Sequence, residues 1–406
     1  MKTPNKNVAA SVPAALTSPS TAFDLLQWQE QEQTRSALWR SESSLPQPKR
    51  IEVADDTMPA DTAFRHISEG ASLLWRGDFQ NARQLLLALS RRLEKKSTRR
   101  KASAAEAATF PHAFHLHRQT QAQRARMLSS ILIELDEHWR CSLRRAPDWS
   151  LACTEAWGAF KPQGSARAAL VPLRDLLGVV GAHEWRKKGV AIPALNGAAI
   201  HAHYGVFSPV RGEYLDLVAR APIPVAGMQQ AWDIGTGTGV LSALLLQRGV
   251  KSIVATDTSE RALACAAENL HGLGYTSKVD LQRQDLFAQG QAGLIVCNPP
   301  WLPGKATSLL DHAIYDEDSR MLRGFLQGLA AHLLPGGEGW LILSDLAEHL
   351  KLRTREQLLA WIEAAGLKVL ARDDVRPQHG KSQDKEDPLH AARSAEVTSL
   401  WRLAAA

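Results

Sequence analysis

From Gln230 onward the chain repeats one pattern: a short apolar run, a polar stop, a helical stretch, then the next apolar run. The runs are AWDIG, SIVATD, VDLQRQD, LIVCN, GWLILSD, KVLARDD and VTSLWRLA, and helical periodicity fills 239–248, 259–273, 318–334 and 354–365. Strands alternating with helices form right-handed βαβ units around a mostly parallel sheet. The last two runs are joined by a polar stretch, VRPQHGKSQDKEDPLHAARSAE, with no helical pattern. A hairpin is expected there, which makes the final strand antiparallel. The pattern predicts a seven-stranded α/β domain over 189–406. A β-hairpin turning at Asn196-Gly197 and a helix in SPVRGEYLDLVARA precede the first of these strands.

The earlier part reads differently. DTAFRHISEGASLLWR and FQNARQLLLALSRRLEKK suggest a helical hairpin broken at Gly77-Asp78, and QAQRARMLSSILIELDEHWRCSLRR suggests a further amphipathic helix. This predicts a mostly α-helical, basic domain over 61–188, serving substrate recognition. Residues 1–60 are expected to be largely disordered or irregular, the first twenty being rich in Ala, Ser, Pro and Thr. Residues 1–200 carry 28 Lys and Arg against 19 Asp and Glu, whereas the remainder is slightly acidic. The densest cluster, Arg91 to Lys101, has seven bases and one acid. It reads either as a solvated helix end with its loop or as a contact to nucleic acid or a ribosomal surface.

Composition excludes several classes. The four cysteines are far apart without a CxxC, so neither a zinc site nor a disulfide framework is expected. His112, His115 and His117 have no nearby Cys or acid to complete a ligand set, and no metal site is expected. No stretch has the length of a signal peptide or a membrane span. A cytoplasmic protein, monomeric and without membrane contact, is the expectation.

The polar stops carry the chemistry. WDIGTGTGVLS places Gly235, Gly237 and Gly239 between a strand and a helix, where the backbone turns tightly and approaches a ligand closely. Asp233, just before them, would repel a pyrophosphate and suits a cationic ligand such as a sulfonium amino acid. Asp257, about 20 residues on, stands where an acid binds ribose hydroxyls. Thr236 and Thr258 lie beside these two acids. Asp285 can accept from an adenine amino group, with Leu286 or Phe287 covering the ring. The fourth stop is Asn298-Pro299-Pro300-Trp301. Two consecutive prolines stiffen that corner and remove two backbone donors.

Taken together, D-x-G-x-G-x-G, Asp257, Asp285 and NPPW resemble the class I methyltransferases that use S-adenosyl-L-methionine. The likeness is to the N-P-P-[YFW] branch: HemK-like protein glutamine methyltransferases and small-domain rRNA and DNA amino-methyltransferases. It covers about 200–403. The fold implied is a Rossmann-like seven-stranded methyltransferase domain with an antiparallel last strand. Cofactor binding is implied for Asp233, Gly235, Thr236, Gly237, Gly239, Asp257, Thr258, Asp285, Leu286 and Asn298. In that branch the Asn298 side-chain oxygen and the Pro299 carbonyl would each accept an N–H of a planar target nitrogen, with Pro300 fixing the corner and Trp301 stacking on the target. Tyr204 to Leu217 resembles the segment before the core in the rRNA members, which makes Phe207, Arg211 and Glu213 candidates to border substrate or cofactor. The stretch after NPPW departs from both groups and is expected to form a lid or substrate loop, with Tyr315 and Asp316 as candidates. The function implied is N-methylation of an amide or exocyclic amine on a macromolecule, with glutamine of a translation protein slightly ahead of an RNA or DNA base. A small-molecule acceptor and a non-catalytic binding module are the remaining alternatives.

Overall fold

The computed structural model describes residues 24–42, 45–104, 112–164, 166–210, 212–308, 310–377 and 387–406, the side chains from 95 to 104 excepted. The expectation of disorder over the first twenty residues therefore lies outside the described residues. Two large sheets organise the rest.

The first sheet corrects the expectation of an irregular 1–60 and puts strands into 61–188, where helices still predominate. Its elements are β1 (Leu25–Glu30), β2 (Gln33–Trp39), β3 (Ile51–Ala54), α1 (Ala60–Ser68), β4 (Ser72–Trp75), α2 (Phe79–Ala104), α3 (His112–Leu128), β5 (Ile131–Asp136), α4 (Ser150–Trp157), β6 (Ala168–Pro172) and α5 (Leu173–Lys188). The six strands lie in the order β1-β2-β6-β5-β4-β3 and mix parallel with antiparallel pairs. ASLLW and ILIEL, which read as helix, hold the interior strands β4 and β5. The reason is burial on both faces. Leu73, Trp75, Ile131 and Ile133 enter a core shared with the helices, while Leu74 and Leu132 enter a second cluster with Trp28 and Trp39. Strands buried on both sides lose polar alternation and look like any apolar run.

The basic cluster lies in the C-terminal turns of α2, which is helical throughout Arg91 to Lys101, without the expected loop. Arg92 is paired with Asp61 at 2.7 Å, and the side chains from Lys95 to Lys101 lie outside the described residues. His112, His115 and His117 stand in the first turns of α3, not in a loop. Asp78 caps α2: its Oδ1 accepts from the Gln80 N–H at 2.8 Å, and Oδ2 accepts from Arg144 and Arg145 at 2.9 and 2.7 Å.

The second sheet matches the sequence pattern. It follows a hairpin of β7 (Val190–Ala191) and β8 (Ala199–Ile200), then α6 (Glu213–Arg220). Next come β9 (Gln230–Ile234), α7 (Val240–Gln247), β10 (Ser252–Asp257), α8 (Glu260–Gly272), β11 (Val279–Arg283) and β12 (Ala292–Cys297). The domain ends with α9 (Arg320–His332), β13 (Leu333–Ser344), α10 (Leu346–His349), α11 (Arg355–Ala364), β14 (Leu367–Val375), α12 (His390–Ala395) and β15 (Thr398–Ala405). The seven strands lie in the order β11-β10-β9-β12-β13-β15-β14, with β15 antiparallel to both neighbours. One departure is α12, in the stretch expected to hold no helix; buried Leu389 and Ala392 pack it onto α10. One sheet face packs on α6, α7 and α8, the other on α9 and α11. Among the described residues, no helix is long and apolar enough to cross a membrane.

Polar contacts join the two parts. Arg186 on α5 pairs with Glu155 and Glu268, and Arg261 on α8 donates to the carbonyls of Ala156 and Tyr204.

In the first sheet Arg76 bridges Glu30 and Glu134. Its hydrogen bond holds the Glu30 carboxyl down at about 2, well below the ordinary value of 4.5. A carboxyl depressed in the folded state contributes stability that is full above the unfolded value and is lost as pH falls through the folded one. The thermal midpoint of wild type is therefore expected to exceed that of Arg76→Ala at neutral pH. That gap should narrow as pH drops from 4.5 toward 2, which calorimetry over this range would measure. A gap that stays constant across the range would deny the pair its role.

Candidate active site

The register of the second sheet brings the polar stops together. Ile234 of β9 pairs with Thr256 of β10 and with Cys297 of β12. The next residues, Gly235, Asp257 and Asn298, therefore leave three adjacent strands at one level. Asp285 lies two residues beyond Arg283, the partner of Asp257 on β11. The chain runs from β9 outward to β11 and then returns to the other side of β9 as β12. This reversal opens a crevice between β9 and β12, where open α/β sheets bind ligands.

Asp233 is the anchor of the crevice. It is fully buried, and its Oδ2 accepts from the Thr236 hydroxyl at 2.7 Å, the Ser242 hydroxyl at 2.7 Å and the Ser242 N–H at 3.1 Å. Burial pushes its carboxyl above the ordinary range, against the lowering pull of Ser242 and Thr236. Its Oδ1 is buried with no hydrogen-bond partner among the described residues. A buried acceptor left unpaired is costly, so Oδ1 is suited to a donor arriving with a ligand.

The glycine loop is shaped by what surrounds it. Gly237 has φ +56°, and an added Cβ would meet nothing nearer than the Gly235 carbonyl at 4.0 Å, so its outer side is open to a ligand. Gly239 has φ +78°, and a Cβ there would press on Ala266 and Leu270 of α8 at 3.2 and 3.3 Å. The loop is tied to β10 by bonds from the N–H groups of Gly235 and Thr236 to the Thr256 carbonyl. Asn269, buried on α8, donates to the Thr238 carbonyl at 3.0 Å and to the His201 carbonyl.

Asp257 accepts from the Gly237 N–H at 3.1 Å and the Ser259 N–H at 2.9 Å, one bond at each oxygen. Each oxygen keeps a second lone pair. Burial raises this carboxyl as well. Thr258 beside it is exposed. Asp285 is exposed and paired with Arg320 at 3.0 Å, so an acceptor role there competes with this partner. Leu286, at φ +70°, takes a bond from the Thr256 hydroxyl to its carbonyl at 2.6 Å and lies half-buried. Phe287 stacks on His332 and Phe325, so of the two residues expected to cover a ring it is occupied in packing.

Asn298 is half-buried at the end of β12, and its Oδ1 accepts from the Trp301 indole N–H at 2.9 Å. Pro299 is buried and Pro300 half-buried between them. Trp301 packs against the cores on both faces of the sheet. The indole thus fixes the Asn298 amide, with its oxygen accepting and its second lone pair unused, a role that the aromatic position alone did not reveal. Phe207 is exposed, Glu213 begins α6, and Arg211 lies outside the described residues. Tyr315 bridges to Leu302, and Asp316 accepts from the N–H groups of Met321 and Leu322 at the start of α9. Asp316 is therefore a structural cap, not a surface candidate. Sequence reasoning missed Ser242, Asn269, Arg320 and the Trp301 N–H. Only Ser242 and Asn269 left a signal, as polar residues on helical faces otherwise apolar.

The set of acceptors fits a nucleoside carrying a cationic amino acid: an unpaired buried carboxylate oxygen beside an open glycine, a second carboxylate with spare lone pairs, and an amide oxygen at the rim. Among the described residues, no group of three His, Cys, Asp or Glu could hold a metal ion.

Residues 197–355 match the family model described as "Methyltransferase small domain". Over 175 residues the chain is 32% identical to the release factor glutamine methyltransferase of Cereibacter sphaeroides, covering 40% of this chain and 58% of that protein. It is 31% identical over 236 residues to the release factor glutamine methyltransferase of Deinococcus radiodurans, covering 54% and 75%. It is 30% identical over 191 residues to the tRNA1(Val) (adenine(37)-N6)-methyltransferase of Tolumonas auensis, covering 43% and 73%.

Replacing Ser242 with Ala removes one of the three bonds to the buried Asp233 Oδ2, that of the Ser242 hydroxyl, leaving the backbone N–H at position 242 and the Thr236 hydroxyl. Leaving a buried charged acceptor short of donors costs about 1–3 kcal/mol. Urea unfolding of Ser242→Ala is expected to show a loss of that size, and a midpoint equal to wild type would remove Ser242 from the brace.

Proposed function

The chain belongs to the methyltransferase small-domain family, and from that premise we propose that it methylates a planar nitrogen of a macromolecule, using S-adenosyl-L-methionine. The observation that carries this reading is Asn298, held by Trp301 at the rim of the crevice with a lone pair of its Oδ1 to spare. The acceptors printed in the names of the two kinds of relative, a glutamine and an adenine N6, share one chemistry: an NH₂ group on an sp² carbon.

Bound in the crevice, the cofactor supplies an electrophilic methyl group on a sulfonium. Asp233 Oδ1 would accept from its amino group, and Asp257 would hold its ribose hydroxyls. The acceptor nitrogen is a poor nucleophile because its lone pair is delocalised. Asn298 Oδ1 and the Pro299 carbonyl would each accept one of its N–H bonds, orienting it and stabilising the positive charge that develops. Once cationic, the nitrogen loses its proton readily, so no strong base is needed. The buried Cys297 thiol, pushed well above its ordinary range by desolvation, takes no part.

We place a glutamine-bearing translation protein first among acceptors and RNA second. The basic surplus of residues 1–200 supports the RNA reading, with Arg91 to Lys101 as the proposed contact to phosphates. Incubation with radiolabelled cofactor, purified release factor and bulk tRNA in parallel decides between them. Label in neither, nor in ribosomal protein or rRNA, would overturn the macromolecular reading.

Two substitutions test the residue roles. Asn298→Ala is expected to lower kcat by about 10²–10³, the usual effect of losing one such polarising contact, with cofactor Kd within a fewfold by calorimetry. Asp257→Asn removes one charge-assisted acceptor of about 1.5–3 kcal/mol. It is expected to weaken cofactor binding roughly tenfold or more, and equal affinity would detach Asp257 from the ribose.

A further inference from the structure

The loop that leaves the Asn298 corner is held from the other half of the chain. Its neck is closed by backbone bonds: Leu302 N–H to the Ile314 carbonyl at 3.1 Å, Asp316 N–H to the Leu302 carbonyl at 2.9 Å, and Gly304 N–H to the Asp316 carbonyl at 3.3 Å. One side of that neck meets α3. Phe114, buried to 2%, enters an apolar cluster with Leu302, Leu346 and Leu389. Four residues later, on the same helical face, the Arg118 guanidinium lies 3.7 Å from the centre of the Tyr315 ring. Its Nη2 donates to the Lys305 carbonyl at 2.7 Å. The fit is close, since a Cβ on Gly304 would stand 3.3 Å from Tyr315 and 3.7 Å from Arg118. Farther along, Ser308 and Leu310 line a cavity of about 460 Å³ together with Trp185, His203 and Tyr204.

We propose that Arg118, acting through Tyr315 and the Lys305 carbonyl, is a positioning residue for the methyl acceptor. It fixes the segment that begins at the acceptor-binding corner and continues into the wall of the cavity between the two halves. The functional part of this inference rests on the reading that the acceptor nitrogen binds at Asn298; the contact itself does not. The N-terminal half thereby contributes to acceptor binding through the catalytic domain's own loop, and not only by offering a separate docking face. A planar guanidinium meets both demands, ring and carbonyl; an ammonium on a flexible stem meets them less well.

The contact can be tested without any acceptor. Lys305 is exposed, and its carbonyl, the one held by Arg118, belongs to the bond that trypsin cuts. In the full-length protein, Arg118→Ala and Tyr315→Ala are each expected to accelerate cleavage after Lys305 at least tenfold, by mass spectrometry. The double variant should be no faster than either single one. Tyr315→Phe keeps the ring and should restore protection. With release factor and bulk tRNA as acceptor probes, Arg118→Ala should raise the acceptor KM about tenfold, with kcat within threefold. Its Kd for S-adenosylhomocysteine should stay within twofold. Unchanged cleavage in both alanine variants overturns the proposal. So does faster cleavage with an unchanged acceptor KM. If wild type methylates neither probe, nor ribosomal protein or rRNA, the proposed function fails, and the positioning role fails with it, while the cleavage rates still report whether Arg118 holds the loop.

Discussion

Everything at the crevice depends on one carboxylate that is out of water. Asp233 sits at the end of the central strand β9, buried completely, with three donors from Thr236 and Ser242 converging on one oxygen. Burying a charge without partners would be prohibitive. The protein meets the demand by wrapping the glycine loop and the first turn of α7 around it. The same bonds that satisfy the acid dictate the path of the backbone, and that path sets Gly237 against Asp257. Asp233 Oδ1 then remains as a buried acceptor without a partner among the described residues. Stability and recognition here are two faces of one solvation problem.

The catalytic half was legible in the sequence because its strands end in residues with jobs. Asp257 and Asn298 end apolar runs, and after Asp257 a capped helix starts at once from Ser259. All seven strands fall where the pattern places them. The N-terminal half was misread for the opposite reason. Its strands β4, β5 and β6 are clad on both faces, so Leu73-Leu74-Trp75 carries no polar alternation to distinguish it from a helix. Within the site, residue types were foreseeable and pairings were not. That Phe287 turns to His332, that Arg320 reaches Asp285, and that the Trp301 N–H goes to Asn298 are facts of three-dimensional neighbourhood.

The choice of Trp at position 301 shows how one side chain can answer two needs. A phenyl ring could fill the space between the two cores. Only a ring with a donor can also hold an amide in a set orientation; on the proposed role of Asn298, an amide free to flip would present NH₂ and oxygen alternately to the target N–H. The two prolines restrict the backbone between donor and acceptor, so the bond spans three residues with little freedom to lose. Rigidity at this corner is thus a matter of chemical sign as much as of distance.

The bond from Arg118 to the Lys305 carbonyl joins residues 187 apart in sequence. The crevice itself is made by neighbours: β9, the glycine loop, α7 and β10 follow one another within a few dozen residues. Contacts between near neighbours close with little entropic penalty, and distant ones wait until the chain between them is ordered. Maturation should therefore proceed in two steps, with the nucleoside crevice formed first and the loop beyond Asn298 seated last. On the proposed role of Arg118, a newly made molecule would pass through an interval in which it is loaded and yet unable to hold its target, a built-in delay between acquiring the methyl donor and becoming competent to spend it.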